Sequence, residues 1–201
     1  MKPRINIILL LALFAWAGAS AQSDGKAAEY MRRLVSSMES MGSYTVCFTA
    51  KAGDENISGR YAVDADRYYI SVAGNEVYGD DSIRCEVDAS KREIVVDSAD
   101  IFSPNLLTNP TRGFRFLETD YTPRLESESA GSAAITLVPK NKGAAGTITI
   151  TCSTADIRPR QIVYNTEGES VTIVVESIAK GADVPDFDAV NYPDYEIIDF
   201  R

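Results

Sequence analysis

The chain has 201 residues, with 29 acidic against 20 basic side chains, three cysteines and no histidine. A net charge of −9 with no Lys/Arg cluster argues against nucleic acid and anionic membrane surfaces as partners. The missing histidine removes Ser-His-Asp and Cys-His nucleophiles, His-ligated zinc and the usual proton shuttle of neutral pH.

Met1 to Ala21 read as an export leader. Lys2 and Arg4 give a positive start, Ile5 to Ala17 an apolar run, and Ala19-Ser20-Ala21 a small-residue cleavage site. The apolar run is shorter than the ~20 residues of a spanning helix. Gln22, not a cysteine, follows the site. The expectation is a soluble protein exported to a bacterial periplasm, with one domain over 22–201. Without Lys2 and Arg4 the 20 basic side chains fall to 18 against 29 acidic ones. Cys47, Cys85 and Cys152 lie far apart, each in a predicted strand. One disulfide with a thiol left over, or three buried thiols, both fit an oxidising compartment.

From Asp24 to Met41 the pattern is helical. Ala27, Met31, Leu34, Val35, Met38 and Met41 form one stripe, opposite Arg32, Arg33, Ser36, Ser37, Glu39 and Ser40. Methionines on that stripe suit a mobile apolar guest as well as an irregular core. The next run, Tyr44 to Ala50, is a strand with Tyr44, Val46, Phe48 and Ala50 on its apolar side. Between Ile57 and Asp97 short alternating runs follow: 57–63, 68–72, 83–87 and 94–96. The breaks between them carry Asp, Gly and Asn and are too short for crossover helices, so the strands are expected to pair antiparallel. One apolar face is expected to gather Tyr61, Val63, Tyr68, Ile70, Val72, Ile83, Val87, Ile94 and Val96.

Ile101 to Leu117 interrupts the strands. It is too apolar for an exposed loop and, with Ser103-Pro104, Asn109-Pro110 and Gly113, too broken for one helix. One or two short helices across the mouth of the sheet are expected, with Phe102, Leu106, Leu107, Phe114, Phe116 and Leu117 facing it. Strands resume over 121–128, 134–138, 147–151, 160–164 and 170–175, and a last short one lies near the end. About ten up-and-down strands with little helix predict a mainly β fold, a strongly curved antiparallel sheet forming an incomplete barrel. Three isolated cysteines without C-x-x-C spacing, no glycine-rich phosphate loop, and acidic pairs (Asp80-Asp81, Asp186 and Asp188) in turn-like stretches argue for a non-enzyme without metal or cofactor.

This order of elements resembles the periplasmic outer-membrane lipoprotein carriers of the LolA type. The residues that carry the likeness are Ser43 to Ala50, Gly59-Arg-Tyr-Ala-Val63, Tyr78 to Val87, Ser103-Pro104, Leu137-Val-Pro-Lys140 and Pro193 to Asp199. The resemblance implies a half-barrel closed by helices over a cavity for the acyl chains of a lipoprotein. The lining would be Met31, Leu34, Met38, Tyr44, Val46 and Phe48 with the nine meander residues named above, and the lid would be Phe102 to Leu117. It implies three partners: acylated lipoproteins, an inner-membrane lipoprotein-releasing ABC exporter, and an outer-membrane acceptor. A monomer is expected. The family's arginine latch between the second and third strands is absent from Val63-Asp-Ala-Asp66, and Arg67 stands one step further on.

The energetics set a condition on such a carrier. Burying a methylene yields ~0.8 kcal/mol, so roughly forty of them would exceed the ~18–21 kcal/mol at which non-covalent affinity saturates. Opening a lid, or leaving part of the anchor outside, must offset the excess. Two other readings fit the same residues: a lipid- or envelope-stress-sensing domain, and a structural module with a filled core.

Overall fold

The computed structural model describes residues 24–53, 55–99, 117, 120–141, 146–166 and 169–201. The predicted leader and the lid residues Phe102, Leu106, Leu107, Phe114 and Phe116 lie outside the described residues. Among the described residues no helix is long and apolar enough to cross a membrane.

The apolar stripe becomes helix α1, residues 24–39, with Met41 in the turn after it, and every member of the stripe is buried while Arg32, Arg33, Ser36 and Glu39 face solvent. Met31 and Leu34 are at most 1% exposed. Full burial of one such side chain stabilises by about 1.5–3 kcal/mol, so the stripe holds α1 in place far more firmly than helix propensity would.

Twelve strands form one sheet. They are β1 (Ser43–Ala52), β2 (Glu55–Asp64), β3 (Arg67–Val72), β4 (Asn75–Gly79), β5 (Ile83–Asp88), β6 (Glu93–Ser98), β7 (Tyr121–Ser129), β8 (Ser132–Pro139), β9 (Thr147–Ser153), β10 (Pro159–Thr166), β11 (Glu169–Lys180) and β12 (Glu196–Asp199). Their order is β12-β6-β5-β4-β3-β2-β1-β11-β10-β9-β8-β7. Two antiparallel meanders, β1–β6 and β7–β11, are zipped together by the β1–β11 pair, with a bulge at Cys47/Phe48. The sheet does not close on itself, so β12 and β7 are its edges. The connection from Ser98 to Tyr121 therefore joins opposite ends of the sheet.

The curvature follows from what α1 touches. Its stripe shares one core with Tyr68, Ile70 and Val77 of the first meander and with Ile135, Leu137, Ile148 and Ile150 of the second. A flat sheet of this width could not bring both sets onto one helix. The sheet wraps around it as an incomplete barrel.

Two expectations need correction. Among the described residues there are twelve strands, not about ten, because Asn75–Gly79, bounded by turn-like glycines, is a strand and not a turn. The pairings also split the predicted apolar face. Tyr61, Ile70, Val77, Glu86 and Val95 stand side by side across β2–β6, as do Ala62, Tyr69, Tyr78, Cys85 and Val96. Directly paired residues point to the same side. Ile83, Val87, Ile94 and Val96 therefore face away from α1, into a second cluster with Cys85. Alternation shows that a strand has a dry side; register decides which side of the sheet that is.

The outer cluster is dry because the C-terminal segment covers it. After β11 the chain crosses the convex face, where Val184 packs with Ala62 and Tyr69. Phe187, Tyr192 and Tyr195 then pack over the Cys85–Val96 cluster. β12 ends the crossing by pairing in parallel with β6, Glu196 to Asp199 against Glu93 to Val96.

Candidate functional site

The concave face has two parts. In the first, α1 seals the sheet: Met31, Leu34, Met38, Tyr44, Val63, Tyr68 and Ile70 are buried together there, with Leu117 at 1% exposure in the same core. In the second, Val46, Tyr61, Val72, Leu125, Tyr164, Ile173 and Ile178 pack against that core and keep part of their surface uncovered. These seven come from β1, β2, β3, β7, β10 and β11. They make up a discontinuous apolar strip on the hollow face: Ile178, Val46 and Tyr61 share one row, and Leu125 and Ile173 share a second row whose intervening Ile135, Ile150 and Ile162 are buried.

Phe48 stands beside this strip. It is buried, and its ring lies over Gly59, its direct cross-strand partner on β2. A Cβ at Gly59 would fall 2.6 Å from the ring's Cε2 and 3.1 Å from Cε1. The strand glycine is there because the ring occupies its side-chain space.

The strip is greasy and also phenolic. Tyr44 and Tyr61 meet edge to face, centroids 6.1 Å apart. Burial pushes the pKa of Tyr44 up and that of Tyr61 well up, and raises Tyr164 to about 12. Desolvation disfavours the phenolate, so all three hydroxyls stay neutral throughout the physiological range. The thiols of Cys85 and Cys152 are also pushed up by burial, and all three cysteines are free. A protonated, buried thiol is an inert apolar filler.

The sequence-derived lining thus divides three ways. Met31, Leu34, Met38, Tyr44, Val63, Tyr68 and Ile70 are core under α1. Val46, Tyr61 and Val72, with Phe48 beside them, belong to the strip, and Ile83, Val87, Ile94 and Val96 lie on the opposite face. Sequence reasoning misses Leu125, Tyr164, Ile173 and Ile178. Their strands are legible, but only the β1–β11 pairing puts them on the same hollow as β1 and β2.

Arg67 does not point toward that hollow. Its Nη1 donates to Asp186 Oδ1 at 2.6 Å and its Nη2 reaches Val184 O at 3.5 Å, so it holds the C-terminal crossing on the convex face. Beside it a cleft of about 230 Å³ lies between this segment and the ends of β3–β5, lined by Tyr68, Tyr78, Cys85, Val184 and Phe187 among others. It falls below the ~300 Å³ lower limit of ordinary ligand pockets. One member of each acidic pair serves a turn: Asp80 Oδ1 accepts the Ser82 and Ile83 backbone N–H groups, and Asp188 Oδ1 accepts that of Val190. Among the described residues no cluster of metal-ligating side chains is present.

Comparison with protein-family models gives no match, and comparison with curated proteins gives none. The fold has solved counterparts. The chain is similar to an uncharacterized conserved protein from Thermus thermophilus, with TM-score 0.57 and 11% identity over 87% of this chain and 99% of that one. It is also similar to MucB, with TM-score 0.50 and 12% identity, covering 81% of this chain and 61% of MucB's. A putative outer membrane lipoprotein-sorting protein domain from Vibrio parahaemolyticus aligns with TM-score 0.45 and 9% identity, over 81% of this chain and 95% of that one. At these identities the likeness concerns the fold alone. What the hollow does must be argued from its own residues.

Proposed function

We propose that this chain is a soluble, non-enzymatic periplasmic carrier that takes the acyl chains of lipoproteins into the hollow of its sheet and shuttles them from the inner to the outer membrane. The observation that carries the reading is the partly covered apolar strip of Val46, Tyr61, Val72, Leu125, Tyr164, Ile173 and Ile178 beside a fully sealed core. A filled structural core would have buried these side chains as completely as Met31 or Ile135. Concave apolar surface that is pre-formed and only partly occupied by the protein's own side chains is the usual character of a small-molecule site. The unclosed sheet supplies an entrance that a closed barrel lacks.

The direct test is displacement of a fluorescent fatty-acid probe from the mature chain. Val46→Glu and Ile173→Glu each set a carboxylate on the strip. Desolvating it beside an acyl chain is expected to weaken probe binding about tenfold or more. Phe200→Glu, at a side chain 66% exposed near the C-terminus, is expected to leave binding unchanged. Full probe uptake by both strip variants would remove the reading. Restored lipoprotein delivery in a cell depleted of its own carrier separates a carrier from a domain that merely senses lipid.

A further inference from the structure

Tyr68 Oη and Arg84 Nε are buried polar side-chain atoms without a hydrogen-bond partner among the described residues. They are neighbours by construction. Val63, Tyr68, Gly79, Arg84 and Asp97 stand in one row across β2–β6, on the concave side. Two strand spacings, roughly 10 Å, separate Tyr68 from Arg84. The tyrosine crosses that distance by lying over Gly79, where an added Cβ would fall 2.5 Å from its Oη.

The guanidinium is already half used. Its Nη1 donates to Glu86 Oε2 at 2.9 Å and its Nη2 to Oε1 at 2.8 Å, a bidentate fork on the same strand face. The fork consumes the charge and leaves Nε–H facing a phenol that is itself 2% exposed. If Tyr68 oxygen accepted that Nε–H, the hydroxyl proton would still have no acceptor. The site therefore offers donors and lacks an acceptor.

We propose that Tyr68 and Arg84 form a polar subsite at the rim of the concave face, where Tyr68 leaves the α1 core to line the cleft with Gly79 and Asp80, and that the subsite accepts a neutral carbonyl oxygen, that of an acyl ester, from the bound lipid. This rests on the acyl-binding reading and specifies which part of the lipid is held. A neutral acceptor fits better than phosphate or carboxylate. Glu86 already balances Arg84 through the bidentate fork, so an anion would find no unpaired cation there. The subsite adjoins the strip through Tyr61, two residues along β2 from Val63, the cross-strand partner of Tyr68.

The test compares a diacylglycerol with its dialkyl-ether analogue of equal chain length, each displacing a fluorescent fatty-acid probe from the mature chain. The ester is expected to bind about tenfold tighter than the ether, the scale of one or two buried hydrogen bonds. Tyr68→Phe keeps the ring over Gly79 and removes the hydroxyl. Arg84→Lys keeps a cation opposite Glu86 and removes Nε–H. Both are expected to bring the ester down to the ether's affinity while the ether's own stays unchanged. Should Arg84→Lys not fold, Tyr68→Phe decides alone. Equal binding of ester and ether by the unmodified protein overturns the subsite and leaves acyl binding standing. Parallel loss of both lipids in Tyr68→Phe makes the tyrosine structural and also overturns it. Failure of both lipids to displace the probe overturns the subsite and the acyl-binding reading together.

Discussion

Glycine within a strand ordinarily weakens it, yet β2 carries Gly59 facing Phe48 and β4 carries Gly79 facing Tyr68. In both pairs an aromatic ring on one strand occupies the space above its neighbour's backbone. Gly59→Ala would force the Phe48 ring, 7% exposed, off its position. Overpacking of this kind costs about 1–3 kcal/mol, readable as a lower urea midpoint at unchanged slope. Adding Phe48→Leu should recover part of the loss, so that the two changes are less than additive. The sequence names both residues, since glycine in an alternating run and an aromatic on an apolar face are each visible. It does not show that they touch, because cross-strand register is a long-range property. The same holds for Arg84, which by alternation alone reads as a solvent-facing charge of β5.

The element whose placement the chain's local pattern hides best is the C-terminal crossing. Val184, Pro185, Phe187 and the tyrosines after them look like a loose tail, and the last strand is visible, but nothing local says that they cover β2–β6 from outside. That is why alternation alone puts Ile83, Val87, Ile94 and Val96 in the hollow: their strands need a dry side, and the cover for it arrives about ninety residues later. A hydrogen-bonded cluster fixes the cover. Tyr192 Oη donates to Glu76 Oε2 at 2.6 Å and lies 2.8 Å from Tyr78 Oη, while Tyr69 donates to the other carboxylate oxygen of Glu76. The Arg67–Asp186 pair is exposed at 43% and 85% and adds about 0–1 kcal/mol at most. Tyr192→Phe takes a donor from Glu76 and a partner from Tyr78, a loss of about 1–3 kcal/mol. Since the crossing contributes no buried side chain to the α1 core, the loss should appear as local opening. Limited proteolysis should then cut the variant near Gly181 to Pro185 faster than the parent while the rest of the domain stays resistant. A global fall in resistance would show that cover and core unfold as one unit.

At the scale of the whole molecule, the shifted groups make the two ends of the pH range unequal. Asp88 and Asp199 are held down at about 2, Asp88 first by the Ser90 hydroxyl and Asp199 first by the Arg201 guanidinium. Their contribution is present above the ordinary carboxylate range and is lost as pH falls through about 2. Asp199 is exposed and Asp88 only partly covered, so the acid limb should be shallow and sensitive to salt. The alkaline limb belongs to buried phenols. Tyr69, raised to about 12 first by burial and then by its hydrogen bond to Glu76, and Tyr164, raised to about 12 by burial, keep their protons when the unfolded chain, at an ordinary 10.0, has given them up. Between those values the unfolded state binds fewer protons than the folded one, so stability must fall as pH rises. It is whole below about 10 and gone above about 12. For Tyr69, 8% exposed, the loss is on the order of 2 kcal/mol. Urea unfolding followed by circular dichroism across that interval should show the fall. Self-repulsion in an acidic chain would also steepen toward high pH, and a Tyr69→Phe, Tyr164→Phe variant separates the two causes. If desolvated phenols govern the limb, the variant's stability changes visibly less between about 10 and 12; if net charge governs it, parent and variant fall in parallel.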